Sequence, residues 1–342
     1  MAKPPLSPEG NRPRREGGIA DILTYLETPA TMRPLATYEP GHLDPAGAFL
    51  RDESDRLISL VHLGIEDGYP KTRMAKLLID LSWASSRLEG NTYTQIDTQV
   101  LVQYGHRNTE KPEGDAVMIL NHKRAIEAML CQTDLSEEGV CAIHGLLADG
   151  RLAPDSRHFL PPDQCGAIRS DTPHSLEIDG SSYIPPQAED RPMGFLNGEF
   201  ARLVATARDI VDPVNAAFYV TTRLPYLQPF YGANKRTARW ACNIPLIRAG
   251  LSPFSFVDID KTQYIGGLIA FYELGDERLI KDAFLKAYTA PALRYRPWPE
   301  RMRIALAHDV PGHVARLVRY VYEGGADNPL GEIGAANPPS SR

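Results

Sequence analysis

The sequence predicts a mainly α protein with one small β-hairpin. Three observations carry that prediction. Apolar residues recur at three- and four-residue spacing over most of the chain, as in Met74, Leu77, Leu78, Leu81 and Leu88. Glycine, proline and N-capping residues punctuate these stretches at helix-length intervals. Between residues 148 and 186 the helical spacing stops and Pro, Gly and Asp become dense, as a turn-rich hairpin requires.

Residues 1–18 are Pro/Gly-rich and read as a disordered tail with a short basic patch at Arg12, Arg14 and Arg15. Ile19 to Leu26 reads as a short helix, after which Pro29, Pro34 and Pro40 mark an irregular connector. Helical spacing resumes over 46–65 and breaks at Gly68-Tyr69-Pro70. The next helix, about 71–89, is closed by Gly90. Thr94 is placed to cap a helix through Val102, with Asp97 at the capping-box position.

Asp115 to Leu130 and Ser136 to Leu147 are further amphipathic helices. The second carries His144 on an apolar face, where a satisfied core histidine is expected rather than a catalyst. Gly166 to Arg169 and Ser182 to Ile184 are the two arms of the expected hairpin, and a new helix is expected from Pro185-Pro186. Met193 to Ala207 and Asp212 to Arg223 are helices, the latter with Asp212 as N-cap and Pro213 at its first position. A helix over roughly 234–249 contains Pro245, which must cost a backbone hydrogen bond or kink the axis. Phe254-Ser255-Phe256 is a short extended piece before helices over 261–274 and 276–290. A helix or pair of helices around Pro311 covers 304–321, and 324–342 read as a second disordered tail.

At 342 residues the chain is long enough for one large domain or two smaller ones. A net charge of −6, with acidic residues spread along the chain, argues against sequence-independent nucleic-acid binding. No run of eighteen apolar residues predicts a membrane span, and the N-terminus lacks the apolar segment of a signal peptide. Cys131, Cys141, Cys165 and Cys242 show neither CxxC pairing nor metal-type spacing with histidine. They read as reduced thiols, so a cytoplasmic location is expected and no metal site.

The richest chemistry lies in Gln228-Pro229-Phe230-Tyr231-Gly232-Ala233-Asn234-Lys235-Arg236-Thr237-Ala238-Arg239. A Pro-broken turn here delivers the chain onto a helix N-terminus, whose free N–H groups and dipole favour an anion. Arg236 and Arg239 share one helix face in the first turn. Residue types alone leave two readings open: ion pairs, or a polyphosphate site.

This stretch resembles the signature of the Fic family, His-x-Phe-x-(Asp/Glu)-Gly-Asn-Gly-Arg-x-x-Arg, whose members move AMP from ATP onto protein hydroxyls. Phe230, Asn234, Arg236 and Arg239 sit at family positions. Gln228 replaces the general-base histidine, Gly232 the acidic Mg²⁺ ligand, and Lys235 a glycine of the anion hole. The resemblance therefore implies a binding site for a nucleotide, ATP first, at Asn234, Lys235, Arg236 and Arg239. It argues against Mg²⁺, because Gly232 offers no ligand, and it leaves the catalytic position to Gln228. Ala233-Asn234-Lys235-Arg236 is also similar to the Doc branch, whose members phosphorylate.

Ser85-Ser86-Arg87-Leu88-Glu89-Gly90-Asn91 resembles the inhibitory motif of Fic proteins that carry their inhibitory helix N-terminal to the core. That resemblance implies that Ser85, Glu89 and Gly90 form the inhibitory segment and that Glu89 pairs with Arg239 against the γ-phosphate. It further makes the hairpin, with Ile168, Tyr183 and Ile184, a flap that docks a target protein by strand addition. The implied organisation is an N-terminal helical region over 19–113, a Fic core over 114–300 and a C-terminal helix over 301–323. Glutamine cannot take a proton from a hydroxyl nucleophile. Nucleotide binding without standard AMP transfer is the preferred reading. An atypical AMP transferase and a Doc-like phosphotransferase are the alternatives.

Overall fold

The computed structural model describes residues 18–62, 71–131, 134–169, 178–187, 191–296, 298–325 and 328–331. Helix α1 (Ile19–Glu27) starts behind Gly18, whose N–H donates to Asp21 Oδ2 at 2.6 Å. The proline-marked connector holds two single 3-10 turns, 30–32 and 40–43, around strand β1 (Ala36–Thr37). Helix α2 (Arg51–Val61) is shorter than the apolar spacing implied. Glu53 sets its start by accepting the Leu50 N–H at 2.8 Å, and residues 63–65 lie outside the described residues.

Helix α3 (Lys71–Leu88) runs to the Glu89-Gly90 turn. Helix α4 (Gln95–Tyr104) opens on the predicted capping box, with Asp97 N–H donating to Thr94 Oγ1 at 3.1 Å and Thr94 N–H to Asp97 Oδ2 at 3.0 Å. Helices α5 (Glu113–Cys131) and α6 (Glu137–Ala148) follow, and α3 and α6 both pack on α5. After strand β2 (Tyr183–Ile184) come α7 (Phe195–Asp209) and α8 (Pro213–Leu227). Helix α8 is buried along nearly its whole length and forms the axis of the core. The chain closes with α9 (Asn234–Ala241), α10 (Asn243–Arg248), α11 (Lys261–Leu274), α12 (Arg278–Arg294), α13 (Glu300–Ala307) and α14 (Val310–Glu323). Helices α7, α9, α10 and α11 surround α8.

Four expectations change. Tyr183–Ile184 pairs in parallel with Ala36–Thr37, while Ile168 makes an isolated antiparallel bridge to Phe230. The two arms of the predicted hairpin therefore take other partners, and 170–177 lie outside the described residues. No helix starts at Pro185-Pro186; among the described residues the next begins at Phe195. The helix over 234–249 splits at Cys242, so that Pro245 falls in the first turn of α10, where its missing N–H has no intrahelical partner to lose. Finally, Leu330 in the expected C-terminal tail is 3% exposed and belongs to the core. Residues 1–17 and 332–342 of the two expected tails are outside the described residues.

Candidate functional site

The signature loop is held by its own polar side chains. Gln228 ends α8 in the left-handed region, at φ 50° and ψ 56°, and Ala233, at φ 55°, caps α9. Asn234 ties the turn between them: its Oδ1 accepts the Phe230 N–H at 3.0 Å, and its Nδ2 donates to Phe230 O at 2.9 Å and to Gln228 Oε1 at 2.7 Å. The Gln228 Nε2 donates to Pro225 O at 2.8 Å. Both ends of the Gln228 amide are thus engaged inside the loop.

Two side chains clamp the loop from outside. Phe230 is fully buried, stacked on His144 with ring centroids 3.9 Å apart. His144 Nδ1 accepts the Gly166 N–H at 2.9 Å, which places the ring proton on Nε2, 3.2 Å from Gly232 O. Burial pushes the His144 imidazole down to about 4. It is a neutral, satisfied core histidine. Arg169 donates its backbone N–H to Pro229 O at 2.9 Å and its Nε to Gln228 O at 2.8 Å.

The arginines of α9 meet the end of α3. Arg239, 1% exposed, donates Nε to Ser85 Oγ at 2.9 Å, and its Nη2 to Ser85 O at 3.2 Å and Glu89 Oε1 at 2.6 Å. Arg236 Nε lies 3.8 Å from Glu89 Oε2, while its two terminal nitrogens bond Leu147 O and His158 O. Burial alone would raise the Glu89 carboxyl, but Arg239, Arg236 and Lys235 pull it down to about 2. Burial lowers the Arg236 guanidinium, an effect Glu89 only partly offsets, whereas at Arg239 Glu89 overcomes burial and raises it. Lys235, half-buried beside them, is pushed down by burial. Glu89 N–H donates to Ser86 O at 3.0 Å, and Gly90, at φ +92°, turns the chain away so that Glu89 ends α3 facing α9.

The structure therefore brings together Ser85, Glu89, Lys235, Arg236 and Arg239. It assigns Asn234 a loop-holding role and leaves Tyr183 away from any docking surface. Tyr183 is 1% exposed, stacked on Tyr226 and donating its hydroxyl to Tyr226 O at 2.9 Å. Ile184 is exposed and Ile168 half-buried. Sequence reasoning missed Arg169 as a clamp and two buried neighbours of the arginines. His122 lies with its Nδ1 2.9 Å from Ser86 Oγ, and burial pushes it down to about 3. Tyr264 is fully buried within electrostatic reach of Arg239 and Glu89. A cavity of about 500 Å³ adjoins the cluster at Gly90 and His158, but Gln228, Lys235 and Arg239 do not line it.

The residues do not fit a resident divalent ion. Position 232 carries no side-chain oxygen, Glu89 is taken by two arginines, and among the described residues no cluster of three His, Cys, Asp or Glu could hold a metal. Room for a side chain at 232 is narrow, since an added Cβ would meet Leu160 Cδ2 at 3.3 Å.

Residues 134–246 match the model of the Fic/DOC family. The chain carries a Fic/DOC domain over these residues. It is 28% identical over 244 residues to the protein adenylyltransferase Fic of Nematostella vectensis, covering 66% of this chain and 52% of that protein. The chain spans about half the length of the curated relative it matches. Among solved structures, a Fic family protein from Desulfovibrio desulfuricans G20 aligns with a TM-score of 0.57 at 17% identity, over 86% of this chain and 89% of the other. Fic-1 (residues 134–508) from C. elegans aligns at 0.54 and 19% identity, over 72% and 69%. At these identities the likeness speaks for the fold. Among the described residues no helix is long and apolar enough to cross a membrane.

Proposed function

We propose that this Fic-domain protein binds a nucleoside triphosphate, ATP first, at the N-terminus of α9, and that Glu89 occupies the γ-phosphate position until displaced. The observation that carries this reading is one carboxylate facing two buried arginines, at 2.6 Å and 3.8 Å. A phosphate oxygen can replace a carboxylate oxygen on Arg239 with the same charge-assisted geometry. Arg236, spent on two backbone carbonyls, shapes the site and contributes its charge. Ser85 and Gly90 hold the glutamate in place. A partner protein docking near Ile168 and Ile184, and a cytoplasmic setting for the chain, belong to the same proposal.

AMP transfer to a protein hydroxyl, suggested by the name of the Nematostella relative, is the alternative. The geometry weighs against it. Gln228 has no proton affinity to offer and both ends of its amide are engaged. A Doc-like phosphotransfer would rest on Lys235 as a single phosphate contact, a weaker foundation than two arginines facing one carboxylate.

Calorimetry with ATP tests the reading. Glu89→Gly should bind roughly 10- to 100-fold more tightly than the wild type, and Arg239→Ala in that background should lose a similar factor. Absence of nucleotide binding in Glu89→Gly would overturn it.

A further inference from the structure

Five arginines are buried among the described residues: Arg33, Arg169, Arg223, Arg236 and Arg239. Four of them face a carboxylate. Arg33 has Glu273 at 3.3 Å, Arg223 has Glu277, and Arg236 and Arg239 share Glu89. Arg169 is the exception. It is 2% exposed, yet among the described residues its side chain meets only carbonyls, Gln228 O at 2.8 Å and Pro186 O at 3.0 Å. Its second terminal nitrogen, Nη1, makes no hydrogen bond among the described residues, and it is not among the sealed, partnerless atoms of the interior. Carbonyl dipoles orient a guanidinium but do not neutralise it, and a buried charge without a counter-ion is costly. Burial accordingly lowers the Arg169 guanidinium to about 10.

The position of this cation matters as much as its charge. Its backbone N–H bonds Pro229 O and its Nε bonds the carbonyl of Gln228, so it is fixed to the residue standing at the base position. That residue cannot deprotonate an acceptor. We propose that Arg169 is the acceptor-side anion anchor of this site, and that the acceptor it selects is an already ionised phosphate oxygen rather than a hydroxyl. The inference rests on the nucleotide-binding reading above and names the second substrate class of the same site.

The step balances without a base. An oxygen of the acceptor phosphate attacks the α-phosphorus of the triphosphate, and the new O–P bond forms. The bond from the α-phosphorus to the oxygen bridging to the β-phosphorus breaks, and its electron pair leaves with pyrophosphate. No proton moves. A phosphate monoester, with a second pKa near 6, is largely a dianion at neutral pH, and orthophosphate, with its second pKa near 7, is largely one from about pH 7.5, so neither Gln228 nor solvent has to ionise it. Arg169 offsets one of its charges as it approaches the triphosphate.

The experiment uses the full chain carrying Glu89→Gly, unlabelled ATP and ³²P-orthophosphate as the acceptor probe, with ATP binding measured in parallel. Transfer of AMP to orthophosphate places the label in ADP, which hydrolysis of ATP cannot do. Labelled ADP is expected. In Arg169→Gln it should fall roughly 10- to 100-fold with ATP binding retained, and Arg169→Lys, which keeps the charge, should recover most of it. Its rate should change little between pH 7.5 and 9, where a hydroxyl acceptor without a base would gain about tenfold per unit. ATP binding without labelled ADP overturns the ionised-acceptor inference and leaves the nucleotide reading standing. Labelled ADP unchanged in Arg169→Gln overturns the role of Arg169. If Arg169→Gln loses ATP binding as well, the Arg169→Lys variant and the pH profile of the parent decide. Loss of ATP binding in the Glu89→Gly parent removes both readings together.

Discussion

The N-terminus of α9 joins two polar clusters that differ in kind. On one side Glu89, Arg236 and Arg239 form an ionic set, two buried guanidiniums on a half-buried carboxylate. On the other, Gln228, Asn234 and His144 form a neutral set whose hydrogen bonds run to loop carbonyls, loop N–H groups and one another. The ionic set can exchange one anion for another at little cost in geometry. The neutral set cannot change partners without unmaking the turn. On the proposed reading, affinity for phosphate and chemistry at phosphate therefore reside in separable parts of this site.

The comparison breaks most visibly if the neutral set is made to titrate. Gln228→His with Gly232→Asp, in a Glu89→Gly background, should raise auto-adenylylation from labelled ATP by about 10²–10⁴-fold. The left-handed backbone at 228 accepts histidine, and Leu160 must yield slightly to an aspartate at 232. Gln228→His alone should recover little, because position 232 would still lack a carboxylate. A single change that restores full activity would show that the two positions are independent.

Removing the charge from the ionic set is the converse. Glu89→Gly strands two buried guanidiniums and should cost about 3–5 kcal/mol of stability in urea unfolding. ATP at a hundred times its Kd should return about 2.7 kcal/mol. Unchanged stability would mean that water, not Glu89, satisfies the arginines.

Acid should erode the same contact. The Glu89 carboxyl is held at about 2 in the folded chain against an ordinary 4.5. Its contribution is therefore complete above about 4.5 and disappears as the pH falls through about 2, a loss of roughly 3 kcal/mol. Unfolding midpoints between pH 7 and 3 should fall less steeply for Glu89→Gln than for the wild type. Identical slopes would remove Glu89 from the account.

The smallest effect serves as a control outside both clusters. Thr94→Ala deletes the α4 cap and should cost about 1 kcal/mol with ATP affinity unchanged.

What could be read beforehand followed from short-range chemistry. The Thr94–Asp97 box lies within four residues, and the structure contains it. The meeting of Glu89 with Arg239 was legible only through resemblance to the Fic motifs, since nothing local links residues 150 apart. Arg169 stayed hidden because its role comes from a carbonyl 59 residues away; His144 was read as a core histidine, but its partner 88 residues away was not. An arginine looks the same in sequence whether it meets water or a buried loop. The strand at 183–184 was found, but its partner at 36–37 was not, because a two-residue ladder has no periodicity to detect.

The 150-residue separation between Glu89 and Arg239 also has a direction. Chains are made from the N-terminus at about 5–20 residues per second, so the glutamate is synthesised about 8–30 s before the arginine. Every newly made copy meets its counter-ion as α9 folds. On the proposed reading the site is born closed, and opening it is something that can happen only to a finished molecule.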